Sequence, residues 1–120
     1  QFAVLREALD LVQSGVISKE GIDDVMKYGL GFRYACLGPL EVSDFGGLDT
    51  FYHISSYLMK DLCNSGDVPE LMKQHYDAGE YGVKSGAGFY DYSGDKAQEA
   101  IRHRDKIYIE LAKILYFKEK

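Results

Sequence analysis

Residues 29–49 read GLGFRYACLGPLEVSDFGGLD, a stretch that contains five glycines and one proline. Glycine loses more backbone freedom on folding than any other residue, so a glycine cluster inside an ordered region implies that some backbone positions need it. Gly38-Pro39 predicts the start of a helix, because proline lacks only an N–H group that the first helical position does not use. Gly46-Gly47 predicts the end of that short helix.

Helical periodicity of apolar residues continues on both sides of this stretch. The predicted helices are residues 1–15, a helix from the N-cap Ser18 to Gly29, the short helix from Pro39, a helix that Asp49 caps and that ends near residues 64–66, one from Pro69 to Tyr76, and one from about Lys96 to Phe117. Strand-like alternation is confined to GFYDY at 88–92, which predicts a brief extended segment. The sequence therefore predicts an all-α fold.

Length and composition predict one globular domain over residues 1–120. The chain has 120 residues, of which 46% are hydrophobic and 28% charged, and this apolar content supports a packed core. The net charge of −5, with acidic residues spread along the chain, argues against nucleic acid as a partner. No apolar run approaches the roughly 20 residues that span a bilayer, so no membrane partner and a cytoplasmic location are expected. The sequence predicts reduced, half-buried thiols at Cys36 and Cys63, because two distant cysteines fit neither a disulfide scaffold nor a zinc site.

The two ends of the chain suggest contacts with something else. The first residue already lies within a helical pattern and is not methionine, so we expect a longer polypeptide with a further segment upstream. The last helix has an apolar stripe wider than one small neighbour requires. A symmetric dimer is therefore expected, and burial of this stripe in the chain's own core is the alternative. The stripe consists of Ile101, Tyr108, Leu111 and Leu115, widened by Ile107 and Ile114.

The known signatures of catalysis and cofactor binding do not occur in the sequence. The three histidines form no HxxxH or HExxH pattern, and GxGxxG, GxxxxGK[ST] and GxSxG are missing. We therefore expect no catalytic, cofactor-binding or metal-binding residue in this chain. Glu41 and Asp44, three residues apart on one helix face, fit either a carboxylate pair or a solvated face, and the solvated face is favoured.

Three separated motifs resemble the C-terminal domain of the 3-hydroxyacyl-CoA dehydrogenases. They are GVISKEGIDDVMKYGLGF at 15–32, LGPLEVSDFGGLDTF at 37–51 and VKSGAGFYDY at 83–92, and the resemblance covers residues 1–92. It implies a helical domain related to the C-terminal part of phosphogluconate dehydrogenase, which follows an N-terminal Rossmann domain in the parent enzyme. It further implies that the parent uses NAD to interconvert 3-hydroxyacyl-CoA and 3-ketoacyl-CoA, with the NAD site and the catalytic His and Glu on the Rossmann domain.

The resemblance also implies substrate-binding residues. In this interpretation the glycine-rich stretch forms the wall of the substrate cleft that faces the cofactor domain, and Gly38 and Pro39 contact the acyl-CoA substrate. The exposed N–H groups at the start of the helix would favour an anionic oxygen of the substrate. Arg33 and Tyr34 belong to a loop that is longer than in many hydroxyacyl-CoA members and that resembles the lambda-crystallin branch, whose members oxidise gulonate and similar free hydroxy acids. Arg33 fits a substrate carboxylate, and stacking on Tyr34 is the alternative.

The motifs GGLDTFYHI and KSGAGFYDY favour the acyl-CoA branch over the lambda-crystallin branch. A helical interaction module that shares only the fold is a further alternative. In KSGAGFYDY, Gly86 and Gly88 are predicted to form a tight turn that returns Phe89 and Tyr90 onto the helices.

Overall fold

The computed structural model describes residues 1–117 of the chain. Almost all of the regular structure in these residues is helical, as predicted. The chain divides into two compact units, Gln1–Pro69 and the part that starts at Glu70, and each unit is described separately below.

The first unit consists of five α-helices and two short turns of other helical types. Its helices are α1 (Phe2–Gln13), α2 (Lys19–Val25), α3 (Gly31–Tyr34), α4 (Pro39–Gly46) and α5 (Leu48–Leu58). A π-turn (Met26–Leu30) joins α2 to α3, and a 3₁₀ turn (Met59–Asp61) follows α5. The second unit contains α6 (Glu70–Asp77), a 3₁₀ turn (Val83–Ser85) and α7 (Lys96–Leu115).

The residues that connect α1 to α2 have the roles predicted for them at the helix ends. Gly15 adopts a φ of +76°, a left-handed conformation that suits glycine after a helix C-terminus. Ser18 is the N-cap of α2, and its Oγ accepts a hydrogen bond of 2.9 Å from the Gly21 N–H. Both helix boundaries were therefore predicted correctly.

The prediction that Gly29 ends the second helix is wrong. The backbone continues through the π-turn into α3, and the Gly31 N–H donates to the carbonyl of Met26, five residues earlier. A π-turn inserts one extra residue into an α-helix without breaking it. The glycines here therefore widen the helix rather than terminate it.

The break between α4 and α5 lies where Gly46-Gly47 predicts it, but the cap differs. Helix α5 begins at Leu48, so Gly47, with a φ of +94°, occupies the N-cap position predicted for Asp49. Asp49 lies in the first turn, where a carboxylate is favoured by the helix dipole. Gly46 is required by packing, because a Cβ at this position would lie 2.6 Å from the ring of Phe51.

The first unit buries little of its apolar surface. Within residues 1–117, Leu9 is the only buried hydrophobic side chain, at 5% exposure. Helix α1 packs against α2, and the Arg6 Nη1 donates a hydrogen bond of 3.2 Å to the Ser65 carbonyl, which ties the loop before Pro69 to α1. Large apolar side chains elsewhere in the unit are exposed, so they are available to another polypeptide.

The KSGAGFYDY segment forms a compact loop, as predicted. Gly86 has a φ of +85°, and a Cβ on Gly88 would lie 2.7 Å from the Cα of Gly82, so the loop needs both glycines. The Ser85 Oγ donates to the carbonyls of Gly82 and Ala87 at 3.1 and 2.9 Å. Instead of the predicted extended segment, the structure has two isolated antiparallel bridges, Gly82 with Ala87 and Ala87 with Asp91.

A hydrogen-bonded turn around Asp91 precedes α7. Asp91 Oδ1 accepts from the Ser93 N–H at 2.9 Å, and Oδ2 accepts from the Lys96 Nζ at 2.5 Å. The hydrogen bond from Lys96, followed by those from Ser93, holds the pKa of the Asp91 carboxyl well below its usual range. The same pair raises the pKa of Lys96. These hydrogen bonds connect the residues of the turn from which α7 starts.

Candidate functional site

The four predicted substrate-binding residues lie on one short connection in the first unit. Arg33 and Tyr34 end α3, Gly38 is the N-cap of α4, and Pro39 is its first residue. The Arg33 carbonyl accepts hydrogen bonds from the N–H groups of Cys36 and Leu37, at 3.0 and 2.9 Å. These bonds make the connection a tight turn, so the four residues stay close along the backbone.

The side chains of this connection are available to a ligand. Arg33 is exposed, and the Tyr34 side chain is 44% exposed. Within residues 1–117 the Arg33 guanidinium has no hydrogen bond, ion pair or ring contact, so the stacking of Arg33 on Tyr34 is not observed. A free guanidinium on the surface can bind a carboxylate or a phosphate through two parallel hydrogen bonds.

The start of α4 is capped from within the chain. The Gly38 N–H donates a hydrogen bond of 2.7 Å to Glu41 Oε2, and proline at 39 has no N–H group to offer. Glu41 lies three residues after the N-cap, the spacing of the capping box, and this signal identifies its role from the sequence. The carboxylate also places negative charge at the positive end of the helix. The N-cap N–H is therefore engaged by Glu41 and not by a ligand in this conformation.

At two glycines of the stretch the first unit leaves room for a Cβ. Gly31, Gly46 and Gly47 are required by a close contact or by a positive φ. By contrast, Gly29 and Gly38 have negative φ values; a Cβ on Gly29 would meet nothing within 4 Å, and one on Gly38 would meet only Glu41 Oε2, at 3.5 Å. If these positions need glycine, the reason lies outside this unit.

Exposed apolar side chains surround the same connection. Phe32, Leu40 and Phe45 are 71%, 80% and 81% exposed. The thiol of Cys36 is free and exposed rather than half-buried as predicted, whereas Cys63 is free and partly buried. A surface with this much apolar area around a free cation is typical of a region that another domain or a ligand covers.

The second unit has a separate cavity of about 440 Å³ between α6 and the KSGAGFYDY loop. His75 Nδ1 and Glu80 Oε2 are 2.5 Å apart on its wall. The Phe89 ring contacts the His75 ring edge-on, with 4.9 Å between the ring centroids, which confirms that Phe89 returns onto a helix. Mostly apolar and aromatic residues line this cavity.

Residues 1–117 contain neither a candidate metal site nor a candidate membrane span. Within this range, no group of three or more His, Cys, Asp or Glu side chains is placed to hold a metal ion. Nor does any helix in this part of the chain combine the length and the apolar character that a membrane span requires.

The fold and the site define a helical domain with an exposed glycine-rich connection. A family model, that of the C-terminal domain of 3-hydroxyacyl-CoA dehydrogenase, matches residues 1–92. The chain belongs to this family. The resemblance inferred from the three motifs is thereby confirmed over the range predicted for it.

Curated relatives carry several dehydrogenase names. The 5-formyl-3-hydroxy-2-methylpyridine 4-carboxylate 5-dehydrogenase of Mesorhizobium japonicum is 35% identical over 98% of this chain and 38% of its own length. A probable 3-hydroxybutyryl-CoA dehydrogenase of Bacillus subtilis is 42% identical over 74% of this chain and 30% of its own length. The lambda-crystallin of Oryctolagus cuniculus is 36% identical over 59% of this chain and 23% of its own length. The chain thus spans about a third of the length of the first two relatives.

A solved structure has the same fold. The crystal structure of a 5-formyl-3-hydroxy-2-methylpyridine 4-carboxylic acid 5-dehydrogenase, described as an NAD⁺-dependent dismutase, superposes with a TM-score of 0.94. It is 35% identical to this chain, and the match covers 98% of this chain and 38% of that one. The match includes α7, which lies beyond the range of the family model.

Proposed function

We propose that this chain is the C-terminal domain of an NAD-dependent 3-hydroxyacyl-CoA dehydrogenase and that it covers the acyl substrate. In the parent enzyme, a Rossmann domain of the same polypeptide binds NAD and carries the catalytic His and Glu. The hydroxyl carbon of a 3-hydroxyacyl-CoA loses a hydride to NAD⁺ and its hydroxyl proton to the base, which gives the 3-ketoacyl-CoA. The family match and the relatives named 3-hydroxybutyryl-CoA dehydrogenase support this proposal. The proposed location is the cytoplasm.

The observation that carries the proposal is the exposed connection from Arg33 to Pro39. A Cβ on Gly38 would meet only Glu41 Oε2, at 3.5 Å, so its own unit does not exclude a side chain there, and apolar side chains beside it face solvent. Such a surface fits a wall that closes over an acyl chain against the cofactor domain. Pro39 holds the backbone of this wall in place as the first residue of α4.

The proposed enzyme is a homodimer that α7 helps to form. Ile107, Leu111 and Ile114 on this helix are 42%, 43% and 67% exposed. They belong to the predicted apolar stripe, and a symmetric pair of such stripes buries both from water.

The second candidate function is the oxidation of a free acid. The relative that acts on a pyridine carboxylate matches nearly the whole chain, including α7, and Arg33 offers an unpaired guanidinium beside Tyr34. A free carboxylate is a group that a CoA thioester lacks. Assays of the full-length protein with acetoacetyl-CoA and NADH, with gulonate and NAD⁺, and with the pyridine aldehyde acid and NAD⁺ separate the candidates. A helical interaction module turns over none of them.

Gly38→Val in the full-length protein is expected to raise KM for the substrate by about tenfold, which corresponds to roughly 1.4 kcal/mol of lost binding. A branched side chain at this position projects into the space that the substrate occupies. Gly66→Val is the matched control, because Gly66 also has a negative φ and open space around it but lies outside the site. Steady-state kinetics and thermal melting measure both variants. Unchanged kinetics in a folded Gly38→Val protein contradict the proposed wall.

A further inference from the structure

The helix that leads to Arg33 contains an irregularity at a defined place. Helix α2 passes through the π-turn (Met26–Leu30) into α3 without a break. The hydrogen bond that defines the wider turn runs from the Gly31 N–H to the Met26 carbonyl, five residues earlier, whereas an α-helix bonds to the residue four earlier.

Glycine at 31 is what this turn requires. Gly31 has an ordinary helical φ of −64°, so the backbone conformation does not demand glycine. The close approach does, since a Cβ at this position would lie 2.5 Å from the Met26 carbonyl oxygen, which is part of the rigid backbone. A side chain at 31 therefore displaces the carbonyl and favours the narrower α-helical turn.

The extra residue in the π-turn decides which face of the helix carries Arg33. Ile22, Met26 and Leu30 are partly buried and follow one another at four-residue spacing. In an unbroken α-helix a residue seven positions after Met26 returns to within about 20° of the same face, so Arg33 would project in the same direction as Met26. One inserted residue rotates the following segment by about 100°. Residues 31–36 are all exposed in the structure, so the rotation changes the direction in which the Arg33 side chain projects and not its burial.

We propose that Gly31 is a positioning residue: by permitting the π-turn, it sets the direction in which the Arg33 guanidinium projects, so that Arg33 binds an anionic group of the substrate. This inference rests on the proposed function, in which residues 33–39 contact the substrate. The anionic group is one that a planar guanidinium holds through two hydrogen bonds. It is either the carboxylate of a free acid or a phosphate of a CoA ester, and the substrates used in the test distinguish the two.

The test uses four variants of the full-length protein: Arg33→Ala, Gly31→Ala, a deletion of Lys27, and Gly31→Ala combined with that deletion. Lys27 lies inside the π-turn, with 62% of its side chain exposed. Its removal places residue 31 four positions after Met26, so the same two backbone groups bond at α-helical spacing and a Cβ is tolerated. The deletion therefore keeps the direction in which Arg33 projects while abolishing the need for glycine.

KM and kcat are measured with two substrates, acetoacetyl-CoA with NADH and 5-formyl-3-hydroxy-2-methylpyridine 4-carboxylate with NAD⁺. Arg33→Ala and Gly31→Ala are each expected to raise KM by about 10- to 100-fold, the effect of losing a hydrogen-bonded charge, with a smaller change in kcat. The deletion alone and the combined variant are expected to retain a KM within about threefold of the wild type. An effect confined to the pyridine acid assigns the carboxylate, and an effect on the CoA ester assigns the phosphate.

The outcomes separate the inference from the function on which it rests. If the wild type turns over neither substrate, or if Arg33→Ala leaves KM unchanged for both, the proposed function of this site is wrong. If Arg33→Ala raises KM but a folded Gly31→Ala does not, or if the combined variant stays as impaired as Gly31→Ala, the positioning role is overturned. If Gly31→Ala does not fold, the deletion of Lys27 provides the test. A KM of the deletion variant as high as that of Arg33→Ala contradicts the positioning role of Gly31.

Discussion

Leu9→Ala is expected to lower the free energy of unfolding of the 120-residue chain by about 3 kcal/mol, in the range found for buried leucines. Leu9, at 5% exposure, is the only buried hydrophobic side chain in the described part of the chain. Truncation of a buried leucine leaves a cavity, which adds to the lost burial of its methyl groups. Chemical denaturation monitored by circular dichroism measures the change.

Leu40→Ala is the matched control for this prediction, because it makes the same substitution at a leucine that is 80% exposed. A change below about 0.5 kcal/mol is expected, since exposed positions rarely affect stability more than that. Equal losses in the two variants contradict the burial pattern on which the account of the first unit depends.

Ile114→Glu is expected to convert the proposed dimer into a monomer at micromolar concentration. A charge buried without a partner in an apolar interface costs several kcal/mol. Ile114 is 67% exposed in the single chain and belongs to the apolar stripe of α7. Size-exclusion chromatography with light scattering measures the mass of the particle.

Gln98→Glu is the control for the charge itself. Gln98 is exposed on the same helix, and sixteen residues of about 100° each place it roughly 160° around the axis from Ile114. This variant is expected to remain dimeric. A wild-type chain that is already monomeric at micromolar concentration contradicts the proposal that α7 mediates association.

Local sequence signals predicted most of the helix boundaries in physical terms. Ser18, Gly38-Pro39 and Gly46-Gly47 act through their own hydrogen bonds or backbone angles, so their effects do not depend on distant contacts. The prediction at Gly29 was wrong because the sequence alone does not distinguish a glycine inside a π-turn from a glycine that ends a helix. The choice depends on the close approach of Gly31 to Met26, which only the folded backbone reveals.

The residues of the candidate site were named from the resemblance, and their local backbone arrangement came from the structure. The resemblance pointed to Arg33, Tyr34, Gly38 and Pro39, and these residues do share one exposed connection. The spacing of Glu41 after Gly38 indicates its capping role, whereas its spacing from Asp44 had favoured a solvated helix face. The direction in which Arg33 projects depends on the extra residue of the π-turn. The spacing of apolar residues in the sequence does not reveal one inserted residue, so this direction could not be predicted.

The central claim is that this chain covers the substrate while NAD binding and hydride transfer belong to a preceding domain. Titration of NADH, followed by its fluorescence and by its oxidation with acetoacetyl-CoA, tests this claim on the 120-residue chain and on the full-length protein in parallel. The account predicts that the full-length protein binds NADH and oxidises it, and that the 120-residue chain does neither. Saturable NADH binding or turnover by the purified 120-residue chain would contradict it.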